Sequence, residues 1–155
     1  MDGIEAELNT LVGERLMLGV GATYNQSQLT KDFNSTVDPD VVWAPKGRRL
    51  PYSPELRYSA NARYTWEQGN DASGYAHISY SYTDDMWNLL ITEPFQADAV
   101  PRLQDPYSIV DVRVGWEFSN SNYGFELYAT NLTDERAQIF INTCLLYTSP
   151  SPRDL

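Results

Sequence analysis

Cysteine and histidine are scarce in this sequence. The 155 residues include one cysteine, Cys144, so the chain cannot close a disulfide on itself. They include one histidine, His77, which excludes a histidine-based catalytic triad and a metal site built from several histidines. We therefore predict that the protein is not an enzyme and carries no metal or cofactor.

The sequence also lacks long apolar segments, and its basic residues are outnumbered by acidic ones. No apolar run approaches the roughly 20 residues of a membrane-spanning helix. Residues 1–5 do not resemble a secretory signal, so we expect either a cytosolic protein or a fragment of an exported one. The net charge is −10 and the sequence pI is about 4.4, which argues against nucleic acid as a partner, because phosphates are bound by basic patches.

Strictly alternating segments are abundant: residues 56–67 form the clearest one, and residues 107–135 contain two more. Such alternation predicts β-strands with one apolar and one polar face, because the side-chain period of a strand is 2. A Ser/Asn run at 119–122 predicts the turn between two strands. The first strand places Val110, Val112, Val114, Trp116 and Phe118 on one face, and Ile109, Asp111, Arg113, Gly115 and Glu117 on the other.

The length of this hairpin leaves two interpretations open. Each arm of about 10 residues matches the roughly 9–11 residues of a tilted strand that crosses a bilayer. Aromatic side chains at the end of an apolar band are typical of a membrane interface. The same hairpin would also line the core of a soluble sandwich.

Two segments of this hairpin resemble the C-terminal region of TonB-dependent outer-membrane receptors. They read Tyr-Ser-Ile-Val-Asp-Val-Arg from residue 107 and Leu-Tyr-Ala-Thr-Asn-Leu-Thr-Asp-Glu from residue 127. Residues 47–54 resemble a segment that precedes a rim strand in the same family. The resemblance implies a barrel of about 22 strands around an N-terminal plug, and active transport without catalysis. It also implies three partners: outer-membrane lipid, the TonB complex through a missing N-terminal region, and a small solute such as an iron chelate.

The remaining segments predict the same architecture. Further strands are expected at 3–10, 16–26, 56–67 and 74–84, with short connections at 11–15, 68–73 and 119–122. Long connections at 27–55 and 85–106 alternate with the short ones, as in outer-membrane barrels. We therefore predict an all-β fold: an antiparallel up-and-down meander of about six long strands. Since the smallest bilayer barrels have about 8 strands, we expect an open segment of a larger transmembrane barrel.

Two sets of residues are candidates for function. Charged side chains on the polar face would contact the plug or line the solute path, unless that face is simply solvated; they are Arg57, Arg63, Asp111, Arg113, Glu117 and Glu126. Aromatic residues of the long loops would contact the solute or else pack the loops together; they are Tyr52, Trp87 and Phe95. Asn131 is expected to end its strand by bonding its own backbone.

The last residues differ in character from the rest of the chain. Residues 144–154 resemble the translation of a transposase sequencing adapter, residue for residue, and the alternative is a disordered Ser/Pro tail. We predict that residues 1–143 are a partial receptor barrel and that 144–155 are a non-native, disordered tail, so that the natural C-terminus is missing.

Three functions remain as hypotheses at this stage. The first is an outer-membrane receptor of a bacterium that takes up a ferric siderophore, cobalamin or an oligosaccharide through TonB. The second is a passive porin-like channel. The third is a soluble β-sandwich that binds carbohydrate.

Overall fold

A computed structural model describes residues 2–69, 72–91, 101–118 and 123–141. No helix in these ranges is long and apolar enough to span a membrane. The strands in chain order are β1 (Asp2–Val12), β2 (Leu16–Gln26), β3 (Phe33–Asn34), β4 (Val42–Ala44), β5 (Leu56–Gln68), β6 (Ala72–Thr83), β7 (Met86–Trp87), β8 (Leu103–Gln104), β9 (Tyr107–Phe118) and β10 (Gly124–Ala129).

Six long strands form one antiparallel sheet in the order β1-β2-β5-β6-β9-β10. Every long strand pairs with the long strand that follows it in the chain, which confirms the predicted up-and-down meander. The predicted bounds are close to the observed ones, because alternation marks a strand over its whole length. The observed β2 spans the predicted residues, whereas β1 extends beyond its prediction at both ends.

The described parts of the two predicted long loops contain short strands that the sequence does not indicate. A short antiparallel pair, β3 with β4, lies in the first, and β7 pairs with β8 in the second. The rings of Phe33 and Trp43 pack at 5.7 Å across the first pair. Strands of two or three residues are too short to produce a visible alternation, so the pattern does not reveal them.

The register of the sheet defines a mainly apolar face and a mainly polar face. Directly opposed residues share a face, so each crosswise row lies on one side of the sheet. One row on the apolar face joins Leu8, Val20, Ala60, Tyr80 and Val110. The neighbouring row on the polar face joins Asn9, Gly19, Asn61, Ser79 and Asp111.

The apolar face is uncovered in the described part of the chain. Ile4 is 72% exposed, Ile78 is 48% exposed and Leu127 is 66% exposed. The buried apolar residues of the described chain lie outside the long strands: Ala44 and Met86 are in the two long connections, and Ile141 is in the segment after β10. The sheet is thus a single layer here, whereas a sandwich buries its apolar face under a second sheet.

Both edges of the sheet are open in the described residues. All residues of β1 and of β10 are exposed, and each strand pairs on one side only. Edge strands of this length present unpaired N–H and C=O groups. This open meander confirms the prediction of a barrel segment rather than a closed domain.

Candidate functional site

The centre of the polar face brings three basic side chains into one row. The register places Arg63 of β5 opposite His77 of β6, and His77 opposite Arg113 of β9. Arg63 and Arg113 are among the predicted site residues, but their common row is visible only in the pairing of the strands. We call these three residues the arginine row.

An aromatic side chain orients one end of this row. The guanidinium carbon of Arg63 lies 3.9 Å from the ring centroid of Tyr75, a cation–π contact. The Tyr75 hydroxyl donates a hydrogen bond to a carboxylate oxygen of Glu126, a predicted site residue on β10. Gly115 leaves the space for the Tyr75 ring, since a Cβ there would lie 2.5 Å from it. Arg63, Arg113 and Glu126 are therefore brought together, with Tyr75 as the residue that the sequence pattern did not single out.

Asp111 has a structural contact that the sequence analysis did not specify. Its carboxylate accepts a hydrogen bond of 2.8 Å from the backbone N–H of Asn131. The Asn131 side chain donates to the Glu135 carbonyl and accepts from the Glu135 N–H, each at 2.9 Å. Asn131 thus bonds backbone just after its strand, but the partner is Glu135, four residues on, and not its own backbone as expected.

The two remaining candidates of the polar face lie apart from the arginine row. Arg57 stands between Thr23 and Thr83, six positions along β5 from Arg63 and so roughly 20 Å away at strand rise. Glu117 shares its row with Ser73 and Glu67, towards the opposite end of the sheet. A role for Arg57 and Glu117 against a plug or solute stays a prediction.

The loop candidates lie in a packed cluster at the long-connection end. Tyr52 stacks on Phe140 with ring centroids 5.8 Å apart, and the Arg48 guanidinium lies 4.2 Å from the ring centroid of Trp87. Burial lowers the pKa of Arg48 from its usual value. These contacts fit the packing alternative for Tyr52 and Trp87, and a ligand contact by either stays a prediction. Phe95 lies outside the described residues.

An arginine that the sequence analysis did not select joins the two long connections. Arg49 forms ion pairs of 3.1 Å with Glu55 and 2.6 Å with Asp85, and also donates to the Asp85 carbonyl at 2.9 Å. The loop prolines and acids mark this region as irregular, but no local pattern shows that Arg49 reaches a residue on another connection. Among the described residues, no group of three or more His, Cys, Asp or Glu side chains is placed to hold a metal ion.

Comparison with known families agrees with this geometry. The family model described as "TonB dependent receptor-like, beta-barrel" matches residues 1–132. The chain belongs to the TonB-dependent receptor β-barrel family. No solved structure matches the chain.

Membership of the TonB-dependent receptor family confirms the resemblance found in residues 107–135. Receptors of this family lie in the outer membrane of Gram-negative bacteria and act in transport rather than in catalysis. In a barrel of this kind, lipid-facing and lumen-facing residues alternate along each strand. The sheet of this TonB-dependent receptor segment shows the same alternation, with an apolar face and a polar face.

Proposed function

We propose that this chain is part of the barrel of an outer-membrane receptor that takes up a scarce solute by TonB-dependent active transport. The observation that carries the proposal is the sheet with an uncovered apolar face and a polar face of charged and small side chains. In this arrangement the apolar face contacts lipid and the polar face lines the barrel interior. Together with the family match, it favours transport across the membrane.

Aromatic side chains at both ends of the apolar face support this orientation. At the end near the long connections, the Tyr58 and Tyr82 rings stack with centroids 4.8 Å apart. At the end near the short turns, the rings of Trp116 and Phe125 stack at 4.9 Å, and Trp66 meets Trp116 edge-on at 6.1 Å. Alanines such as Ala60 and Ala62 lie between these groups. Aromatic girdles at two interfaces, with an apolar band between them, are typical of transmembrane barrels.

We propose a ferric siderophore, cobalamin or an oligosaccharide as the solute class. The partners are then outer-membrane lipid, the solute, and the TonB complex, which would act through a region of the receptor beyond this barrel segment. The long connections would form the external mouth, because long loops lie on the outer side of such barrels. We also propose that residues 1–143 are receptor sequence and that 144–155 derive from an adapter.

Transport by the intact receptor, expressed from its complete gene, tests the proposal. The gene would be recovered by sequencing genomic DNA on both sides of residues 1–143, which also tests the adapter origin of 144–155. It would be expressed in a Gram-negative host that lacks its own siderophore and cobalamin receptors, with and without the host's TonB. We expect uptake of at least one labelled ferric siderophore, labelled cobalamin or labelled oligosaccharide that disappears when TonB is absent.

Uptake that persists without TonB would instead support the passive channel. A small sugar that enters through the host's own porins serves as the control, because its uptake is expected to be the same in both strains. The soluble-sandwich hypothesis requires a second layer over the apolar face. The described part of the chain has no such layer, which counts against this hypothesis.

A further inference from the structure

We propose that the arginine row, Arg63 with His77 and Arg113, binds the carboxylate groups of a small solute on the wall of the barrel. The inference rests on the proposed function and names the chemistry that this part of the interior would recognise. Three observations support it: the two arginines have no ion-pair partner among the described residues, the nearby carboxylates bond to other donors, and the row lines a depression.

The two arginines have no acidic partner in the described residues. The ion pairs there involve Arg49 and Arg136, and neither Arg63 nor Arg113 lies within 4.0 Å of a carboxylate oxygen. This is unexpected in a chain with 21 acidic and 11 basic residues. A barrel interior screens charge less than bulk water does, so two guanidiniums in one row without an ion pair would favour an anion.

The carboxylates of the two flanking rows are already engaged. Glu126, in the row of Tyr75, accepts the hydrogen bond of the Tyr75 hydroxyl. Asp111, in the row of Asn61, accepts the backbone N–H of Asn131. Each of these carboxylates is oriented by a neutral donor and keeps its charge, but neither lies within 4.0 Å of an arginine of the row among the described residues.

The row lies on a depression that suits a small molecule. Both arginines line a space of about 280 Å³ together with Met17, Asn61, Tyr75 and His77. The Nδ1 atom of His77 is buried and has no hydrogen-bond partner within the described structure. The Tyr75 ring fixes the Arg63 guanidinium, so less conformational entropy is lost when a ligand binds.

The spacing of the arginines favours a dicarboxylate. Arg63 and Arg113 stand on strands separated by one intervening strand, so their Cα atoms are roughly 10 Å apart at the usual strand spacing. A guanidinium group matches a planar carboxylate through two parallel N–H···O bonds. A solute with two carboxylates a few bonds apart would engage both arginines over His77.

Titration of the intact receptor with succinate tests this inference. The receptor that contains this segment would be purified in detergent and titrated calorimetrically with succinate and, at the same ionic strength, with the uncharged isostere succinamide. We expect saturable binding of succinate and none of succinamide. Arg63→Gln and Arg113→Gln should each weaken succinate binding about tenfold or more, the loss of one charge-assisted contact.

Two further variants keep the result interpretable. Arg15→Gln removes the same group at an exposed short turn outside the depression and should bind succinate like the wild type. Arg63→Lys keeps the charge but loses the paired N–H donors, so its affinity should fall between those of the wild type and Arg63→Gln. Resistance to trypsin would establish that each variant is folded.

The proposal is overturned if the receptor does not bind succinate. That result would follow if a carboxylate from another part of the receptor paired with the arginine row. Equal affinities of wild type and both Gln variants, or equal binding of succinamide, would also overturn it. The assay needs no energy source. Succinate binding without TonB-dependent uptake therefore counts against the proposed function alone, and uptake without succinate binding counts against the arginine row alone.

Discussion

At the scale of single residues, Asn131 holds the connection that follows β10. Its φ of 51° lies in the left-handed region, which asparagine adopts more readily than most residues. Its backbone N–H reaches Asp111, and its side chain bonds both backbone groups of Glu135. The hydrogen bond to Asp111 joins the two segments that carry the family resemblance, so their spacing in the sequence reflects a physical contact.

Replacing Asn131 separates its two contributions. Asn131→Ala should lower the free energy of unfolding of the receptor by about 1–3 kcal/mol, because it removes the side-chain bonds and leaves a Cβ at positive φ. Asn131→Gly should cost less, since glycine accepts this φ. Denaturant titration in lipid vesicles measures both values. Equal losses for the two variants would show that the backbone conformation contributes little.

Gly115 provides a second test at this scale. A Cβ at this position would meet the Tyr75 ring at 2.5 Å, so Gly115→Ala should displace Tyr75 and cost about 1–3 kcal/mol. Gly21 lies on the same face, and its Cβ would meet the Ser59 hydroxyl at an ordinary 3.4 Å. Gly21→Ala is therefore expected to be nearly neutral in the same unfolding measurement. A neutral Gly115→Ala variant would contradict the close packing of Tyr75 on this backbone.

At the scale of elements, each long strand has an apolar side and a polar side, which the proposed function assigns to lipid and to the barrel interior. In β6, Ile78 lies on the apolar face beside Ala62 and Val112, and the next residue, Ser79, lies on the polar face beside Asn61 and Asp111. Because the two residues are consecutive, they lie at nearly the same position along the strand and so at nearly the same depth in a bilayer. They differ only in the side of the sheet that they face, which makes them a matched pair.

An arginine at each of these positions should have different effects. Ile78→Arg places a charge towards the hydrocarbon and should destabilise the inserted receptor by about 2–4 kcal/mol, whereas Ser79→Arg faces the interior and should cost much less. Unfolding of the two receptors in lipid vesicles gives the comparison. A larger cost for Ser79→Arg would reverse the assignment of the two faces.

The contact between the two long connections is a further property of elements. Arg49, with 21% of its side chain exposed, pairs with Asp85, whose side chain is 31% exposed, and so joins residues that are far apart in the sequence. Arg49→Ala should raise amide hydrogen exchange in residues 85–91, because the connection loses its anchor.

A surface ion pair provides the control for this exchange experiment. Arg136 and Asp134 are 88% and 84% exposed, so Arg136→Ala should leave the exchange of residues 85–91 unchanged. An Arg49→Ala receptor with wild-type exchange would show that other contacts, such as Arg48 with Trp87, are sufficient to anchor the connection.

At the scale of the whole molecule, the sheet is incomplete by itself. The strands β1 and β10 expose their outer edges, and the apolar face has no cover in the described residues. In lipid each unpaired backbone group costs several kcal/mol, so such edges require further strands. In water the same edges and face favour aggregation.

Expression of residues 1–143 without detergent tests this incompleteness. We expect insoluble material, because neither the edges nor the apolar face is satisfied in water. Sedimentation of the cell lysate gives the result, with the intact receptor in detergent as the soluble control. A monomer that unfolds cooperatively in detergent-free buffer would contradict a barrel segment and favour an independent soluble domain.

The sequence by itself determined the six long strands, their two faces, the meander and the family. These properties follow from alternation with a period of 2 and from a local motif. Both are patterns within a single stretch of sequence and need no knowledge of which strands pair. It also selected Arg63, Arg113 and Glu126 as residues of the polar face.

Only the tertiary structure decided which side chains stand next to one another. The arginine row depends on the register of three strands, which is set by hydrogen bonds between segments far apart in the chain. The contacts of Arg49 with Asp85 and of Tyr52 with Phe140 likewise join distant connections that have no periodic pattern. Periodicity assigns a residue to a face, whereas a site requires neighbours, and neighbours across a sheet are chosen by backbone pairing.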